Sequence, residues 1–137
     1  MSPQAEAGIV DGKLRPCPDS PNCVCSEFAG SRHSIPPLSF NADRDGDAEA
    51  AWARLLDIVA SQPRTKIVRQ DECYIQVRVR TRLFRFEDVL EFRLETAGGQ
   101  IQVRSASETG YSDLGVNRRR IETIRSRYTA AGSTDLS

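Results

Sequence analysis

Between Thr65 and Ser107 the chain repeats one pattern: short runs with an apolar residue at every second position, separated by turn formers. Successive side chains of a strand point to opposite faces, so the alternation describes a sheet that is apolar on one side only. In Cys73–Arg82, Ile75, Val77 and Val79 share one face, with Gln76, Arg78 and Arg80 on the other. Asp88–Glu95 sets Leu90, Phe92 and Leu94 against Val89, Glu91, Arg93 and Glu95. Gln100–Ser107 sets Ile101 and Val103 against Gln102 and Arg104, and Thr65–Gln70 (TKIVRQ) is a further strand. Gly98-Gly99 predicts a tight turn before the last run, and Asp71-Glu72 suits an earlier junction.

A sheet with one apolar face needs a cover on that face. Ala48–Ser61 reads as an amphipathic helix, with Ala51, Leu55 and Ile58 at helical spacing and Trp52, Leu56 and Val59 widening the stripe. Asp45 or Asp47 caps its start and Pro63 helps to end it. A second helix runs from about Leu114 to Ala130, with Leu114, Ile121, Ile124 and Tyr128 on one face and Ser112 or Asp113 as cap. Ser34–Phe40 is a short strand that Pro36 and Pro37 confine to an edge. Prolines and turn formers make Leu14–Asn22 a loop.

The predicted class is therefore α+β, with an antiparallel sheet of four to five strands and two helices on one face. Its order is (β)-α-β-β-β-β-α, as in TATA-binding-protein-like or helix-grip topologies. Residues 1–13 and 130–137 read as flexible segments around a single domain, 14–129. A chain of 137 residues has room for one such core.

Four stretches resemble one known family: LRPCPDSPNCV at Leu14–Val24, the segment from His33 to Leu38, FEDVLEF at Phe86–Phe92, and RSASETGYSDLGVNRRRIETIR at Arg104–Arg125. Together they are similar to domain-of-unknown-function family 1499, a group of bacterial and plastid proteins, over residues 14–128. The resemblance implies the domain and no mechanism. Against the family pattern, Cys25 stands where Ser is usual, Val89 where a second Asp is usual, and Glu108 where a basic residue is usual. The loss of a second carboxylate weakens a paired-Asp site. Glu108 makes its loop less cationic.

The Arg104–Arg125 stretch is the best candidate site, because it gathers hydroxyls, glycines and five arginines at a strand-to-helix passage. Free amides and the dipole at a helix start favour an anion. Ser105, Ser107, Thr109, Tyr111 and Ser112 offer hydroxyls, Gly110 permits close approach, and Arg118 and Arg119 are placed to clamp a carboxylate or phosphate. Asn117 falls on the apolar stripe of the helix, where a polar group without partners costs about 1–3 kcal/mol. Arg104, Ser105, Ser107, Tyr111, Asp113, Asn117 and Arg118 are the predicted ligand-binding residues, and the ligand is a small anionic or amphipathic molecule. The bland reading of the same residues is a cap at Asp113, an internal tie at Asn117, and surface pairs of Glu122 with Arg118, Arg119 or Arg125.

An enzyme would draw on Asp88, Glu91, Arg104 and Asp113, yet no nucleophile–base pair, metal signature or cofactor loop accompanies them. A non-catalytic domain without a cofactor is the preferred reading, and a structural or protein-interaction module is the other alternative. Cys17, Cys23 and Cys25 form C-x5-C-x-C, which is not a strong zinc spacing even with His33 or Cys73 as a fourth ligand. The bland reading is reduced thiols or a loop staple. The family resemblance adds a Cys17–Cys23 disulfide for an exported protein, since the pair would stay reduced in the cytoplasm. His33, the only histidine, pairs with no evident nucleophile; Cys25 is the nearest thiol.

Composition narrows the partners. Basic and acidic residues balance at 19 each, so no global field draws nucleic acid. Arg78, Arg80 and Arg82 line a strand face without interleaved aromatics, because Phe84, Phe86 and Phe92 fall at strand ends or on the core face. Cross-strand pairs on a wet sheet face account for those charges. No apolar run approaches the roughly 20 residues of a membrane span. The first dozen residues lack the plan of a signal peptide, which makes a cytoplasmic protein the default and an exported mature form the alternative.

Overall fold

The structure is a computed structural model, describing residues 7–18, 22–27, 33–40, 47–80, 87–107 and 115–134. In chain order its elements are β1 (Ile9–Val10), β2 (Lys13–Leu14), β3 (Cys23–Cys25), β4 (Leu38–Ser39), α1 (Ala48–Ala60), β5 (Thr65–Gln70), β6 (Tyr74–Arg80), β7 (Glu87–Glu95), β8 (Gln100–Ser107) and α2 (Val116–Thr134). The fold is α+β and antiparallel, as the alternation predicts.

The main sheet has six strands in the order β3-β8-β7-β6-β5, with β4 also paired to β8. Three consecutive hairpins build its centre. The β7–β8 register sets Asp88 opposite Ser107 and Glu91 opposite Arg104. Gly99 has φ +65°, and the Phe40 carbonyl lies 3.1 Å from where a Cβ would stand, so this turn needs glycine. The Asp71 amide donates to the Tyr74 carbonyl and its side chain accepts from the Cys73 amide, which closes the β5–β6 turn. Short β3 and β4 share the far edge of β8, where Pro36 and Pro37 cost no ladder bond.

Both helices pack on one face. Ala51, Trp52, Leu55 and Val59 of α1 and Ile121, Ile124 and Tyr128 of α2 meet Ile75, Val77, Val79, Leu90, Phe92, Ile101 and Val103 from alternate strand positions. The α1 start is capped by Asp47, whose carboxylate accepts from the Ala50 amide at 2.9 Å. The Arg54 guanidinium lies 4.2 Å from the Tyr128 ring and joins the helices. Asp45, Arg82, Phe84, Phe86, Ser112 and Leu114 lie outside the described residues.

The opposite sheet face departs from expectation. Alternation predicts a wet surface of ion pairs, but Glu91 is 0% and Arg104 1% exposed. The chain before β3 covers them. A β1–β2 hairpin pairs Ile9 with Leu14 and Val10 with Lys13, and Leu14 packs with Cys25, Tyr74 and Cys17 in a second small cluster. Two-residue strands carry too little periodicity to be read from sequence. A buried charged pair needs such a cover as much as it needs partners.

Candidate functional site

Three apolar stripes turn polar at the same end of the domain. The β8 stripe Ile101, Val103 continues into Ser105 and Ser107. The β7 stripe Leu90, Phe92 begins with Asp88. The α2 stripe Ile121, Ile124 begins with Asn117. The helix lies over the strands, so these groups meet between them, all at 8% exposure or less.

Their hydrogen bonds interlock. Ser105 Oγ donates to Asn117 Oδ1 at 2.5 Å. Asn117 Nδ2 donates to Ser107 Oγ at 2.9 Å and to the Asn22 carbonyl at 3.1 Å. Arg120, one turn along the helix, donates from Nη1 to Asn117 Oδ1 at 2.7 Å and to Ser105 Oγ at 3.0 Å. Its Nη2 meets Asp88 Oδ2 at 2.6 Å. Asp88 is 1% exposed, and its second oxygen, Oδ1, is buried with no hydrogen-bond partner among the described residues.

The predicted ligand residues therefore divide. Ser105, Ser107 and Asn117 come together. Arg104 lies on the other sheet face, bound through Nη1 to Glu91 Oε1 at 3.3 Å and through Nη2 to the Pro16 carbonyl. Arg118 donates to the Ser34 carbonyl at 3.1 Å, and Arg125 to the carbonyls of Pro36 and Pro37 at 2.5 and 2.7 Å. Tyr111 and Asp113, with Thr109 and Gly110, lie outside the described residues. Four of the five arginines in the stretch thus tie chain segments together. Arg120 and the Asn22 carbonyl complete the cluster and were not read from sequence. Arg120 is three residues after Asn117, a spacing that puts both on one side of a helix, and that was the available signal.

The carboxylates proposed for an enzyme do not share a site. Asp88 and Glu91 are three apart in a strand and point to opposite faces. Glu91 Oε2 accepts from Tyr74 Oη at 2.5 Å and from the Gly8 amide at 2.8 Å. Burial, with the Glu91 carboxylate beside it, pushes the Tyr74 phenol above the ordinary tyrosine range.

Cys17 and Cys23 are joined in a disulfide, which takes them out of both the reduced-thiol and the metal readings. Cys25 is a buried free thiol that burial pushes up, and Cys73 is free and exposed. His33 Nδ1 lies 3.0 Å from the Cys23 carbonyl and holds the β3 region locally. Among the described residues, no group of three or more His, Cys, Asp or Glu side chains is placed to hold a metal, and no helix is long and apolar enough to cross a membrane.

The family described as "Protein of unknown function (DUF1499)" matches residues 13–127, and the chain belongs to it. Neither a curated protein nor a solved structure matches the chain.

Proposed function

We propose that the domain is a non-catalytic binding module that receives a small amphipathic molecule at the polar junction of β7, β8 and α2. The observation that carries this reading is Asp88 Oδ1, a buried carboxylate oxygen without a donor among the described residues. An unmet buried acceptor costs about 1–3 kcal/mol, which a ligand hydroxyl or amide would recover. Asp88 stands across the sheet from Val79 on one side and Ser107 on the other, so a donor head beside it would have both an apolar and a polar neighbour.

Of the two ligand classes open from sequence, the geometry favours the amphipathic one with an uncharged head. Arg120 is neutralised by Asp88, Arg104 by Glu91, and Arg118 and Arg125 are engaged with carbonyls. A second reading is supported by the closed bonding of Ser105, Asn117 and Arg120, which would by itself lock the helix to the sheet without any ligand.

The test is native against denatured mass of the purified protein, with saturation-transfer NMR using octanol and octanoate. The expected result is transfer from octanol, weaker transfer from octanoate, and loss of the octanol signal in a folded Ser107→Ala variant. An unchanged mass together with silence from both probes would sink the ligand assignment and leave the polar lock.

A further inference from the structure

The second sheet face holds a different device, independent of the ligand site. Residues 8–17 lie across it as a strap. The strap is held by the Gly8 amide on Glu91, the Leu14 amide on Glu27 Oε2 at 2.9 Å, the Arg15 carbonyl near the Cys25 thiol at 3.6 Å, and the Pro16 carbonyl on Arg104. Glu27 is itself fixed by a bidentate contact with Arg93, 2.7 Å on both arms. One attachment is covalent, the disulfide from Cys17 at the end of the strap to Cys23 in β3.

This disulfide joins the strap to a sheet-edge strand and does not join two elements of the main core. Neither cysteine belongs to the large apolar cluster between sheet and helices. Among the described residues, Leu14 of the strap packs on Cys25 and Tyr74, and the strap covers the Glu91–Arg104 pair. A segment with few apolar contacts of its own opens locally while the rest of a domain stays folded. Cys17 is half-buried and Cys23 buried, so the Cys17 end of the bond is the more open to a reductant.

We propose that Cys17–Cys23 is a reductively operated latch, and that its reduction by a dithiol releases residues 8–17 and uncovers the Tyr74–Glu91–Arg104 face. One thiolate of the dithiol attacks Cys17 Sγ, the S–S bond breaks, and Cys23 leaves as a thiolate that takes a proton. The second thiol of the donor then displaces Cys17, which leaves as a thiol. Two electrons and two protons pass to the protein, and the donor departs as its own disulfide. Cys25 is on the same face as Cys23, two residues along β3, and its thiolate is disfavoured while the strap is shut. The closed latch is thereby kept from exchanging internally.

Hydrogen exchange and alkylation of the whole chain, before and after dithiothreitol, test the latch. For a sequence separation of 6, chain entropy puts the loss of closure at roughly 50-fold. Exchange at residues 9–17 is expected to rise by that order, Cys25 to become alkylated, and α1 and α2 to keep their protection. Exposed Cys73 labels in both states and serves as the control. The Cys17→Ser variant is expected to behave as reduced protein without reductant. Unchanged exchange at 9–17 would overturn the latch, because hydrogen bonds alone would then hold the strap. Loss of protection in both helices would overturn it also, since the disulfide would be a staple of the whole fold. Opening that disappears in Cys25→Ala would show internal thiol exchange in place of release, and would equally overturn it.

Discussion

Glu91→Gln is the most informative single substitution. The wild-type carboxylate is fully buried and accepts from Tyr74, the Gly8 amide and Arg104. Glutamine keeps the shape and one acceptor oxygen but removes the charge opposite the Arg104 guanidinium, which is 1% exposed. Removing one member of a buried pair costs about 3–5 kcal/mol, because the other charge stays desolvated. The retained acceptor puts Glu91→Gln near the low end, about 3 kcal/mol. With a urea m-value of about 2 kcal/mol/M, the unfolding midpoint falls by about 1.5 M. Replacing both partners, as Glu91→Gln with Arg104→Met, recovers most of that loss, because neither charge is then left buried without its partner. The assay is equilibrium urea unfolding by circular dichroism with the disulfide intact. A midpoint shift below about 0.3 M for the single variant would refute the reasoning, because it would mean that water screens the pair.

Three further outcomes follow from the same contacts. Asn117→Ala strips partners from Ser105, Ser107, Arg120 and the Asn22 carbonyl, and its expected cost is about 2–3 kcal/mol in the same urea assay. Asp47→Ala removes the α1 cap and costs about 1 kcal/mol, read as a lower thermal midpoint. Tyr74 is raised above its unfolded value, so its contribution to stability is complete below about pH 10, the ordinary tyrosine value, and is lost as pH rises towards the folded value. Absorbance of phenolate against pH is expected to contain a late step that Tyr74→Phe removes.

The centre of the fold was legible because it is built from long periodic runs. Thr65–Gln70 and Gln100–Ser107 agree with the structure to the residue, and Asp47 caps as one of two predicted aspartates. Strands β1, β2 and β3 were not legible, since two or three residues carry no usable period and the PCPDSPN run dominates their surroundings. The candidate site was half legible. Ser105 and Ser107 stood out as hydroxyls of the strand-to-helix passage, and Asn117 as a polar residue on the apolar stripe of the helix. Arg104 looked like part of the same site because it adjoins Ser105 in sequence. Strand alternation sends it to the other face, where the cover over it comes from residues more than 80 positions away. The arginine-rich helix start looked like an anion clamp, yet carbonyls of Ser34, Pro36 and Pro37, distant in sequence, take up Arg118 and Arg125. Non-local partners of this kind decide what an arginine does, and no local pattern reports them.

Titration of the folded, oxidised protein with octanol, followed through backbone amide resonances, decides whether the Asp88 cluster is a binding site for an uncharged polar head. Saturable shifts confined to residues around Asp88, Ser105, Ser107, Asn117 and Arg120 are expected, and their loss in Asp88→Asn. Shifts spread along the strap face, or none up to the solubility limit of the probe, would contradict it.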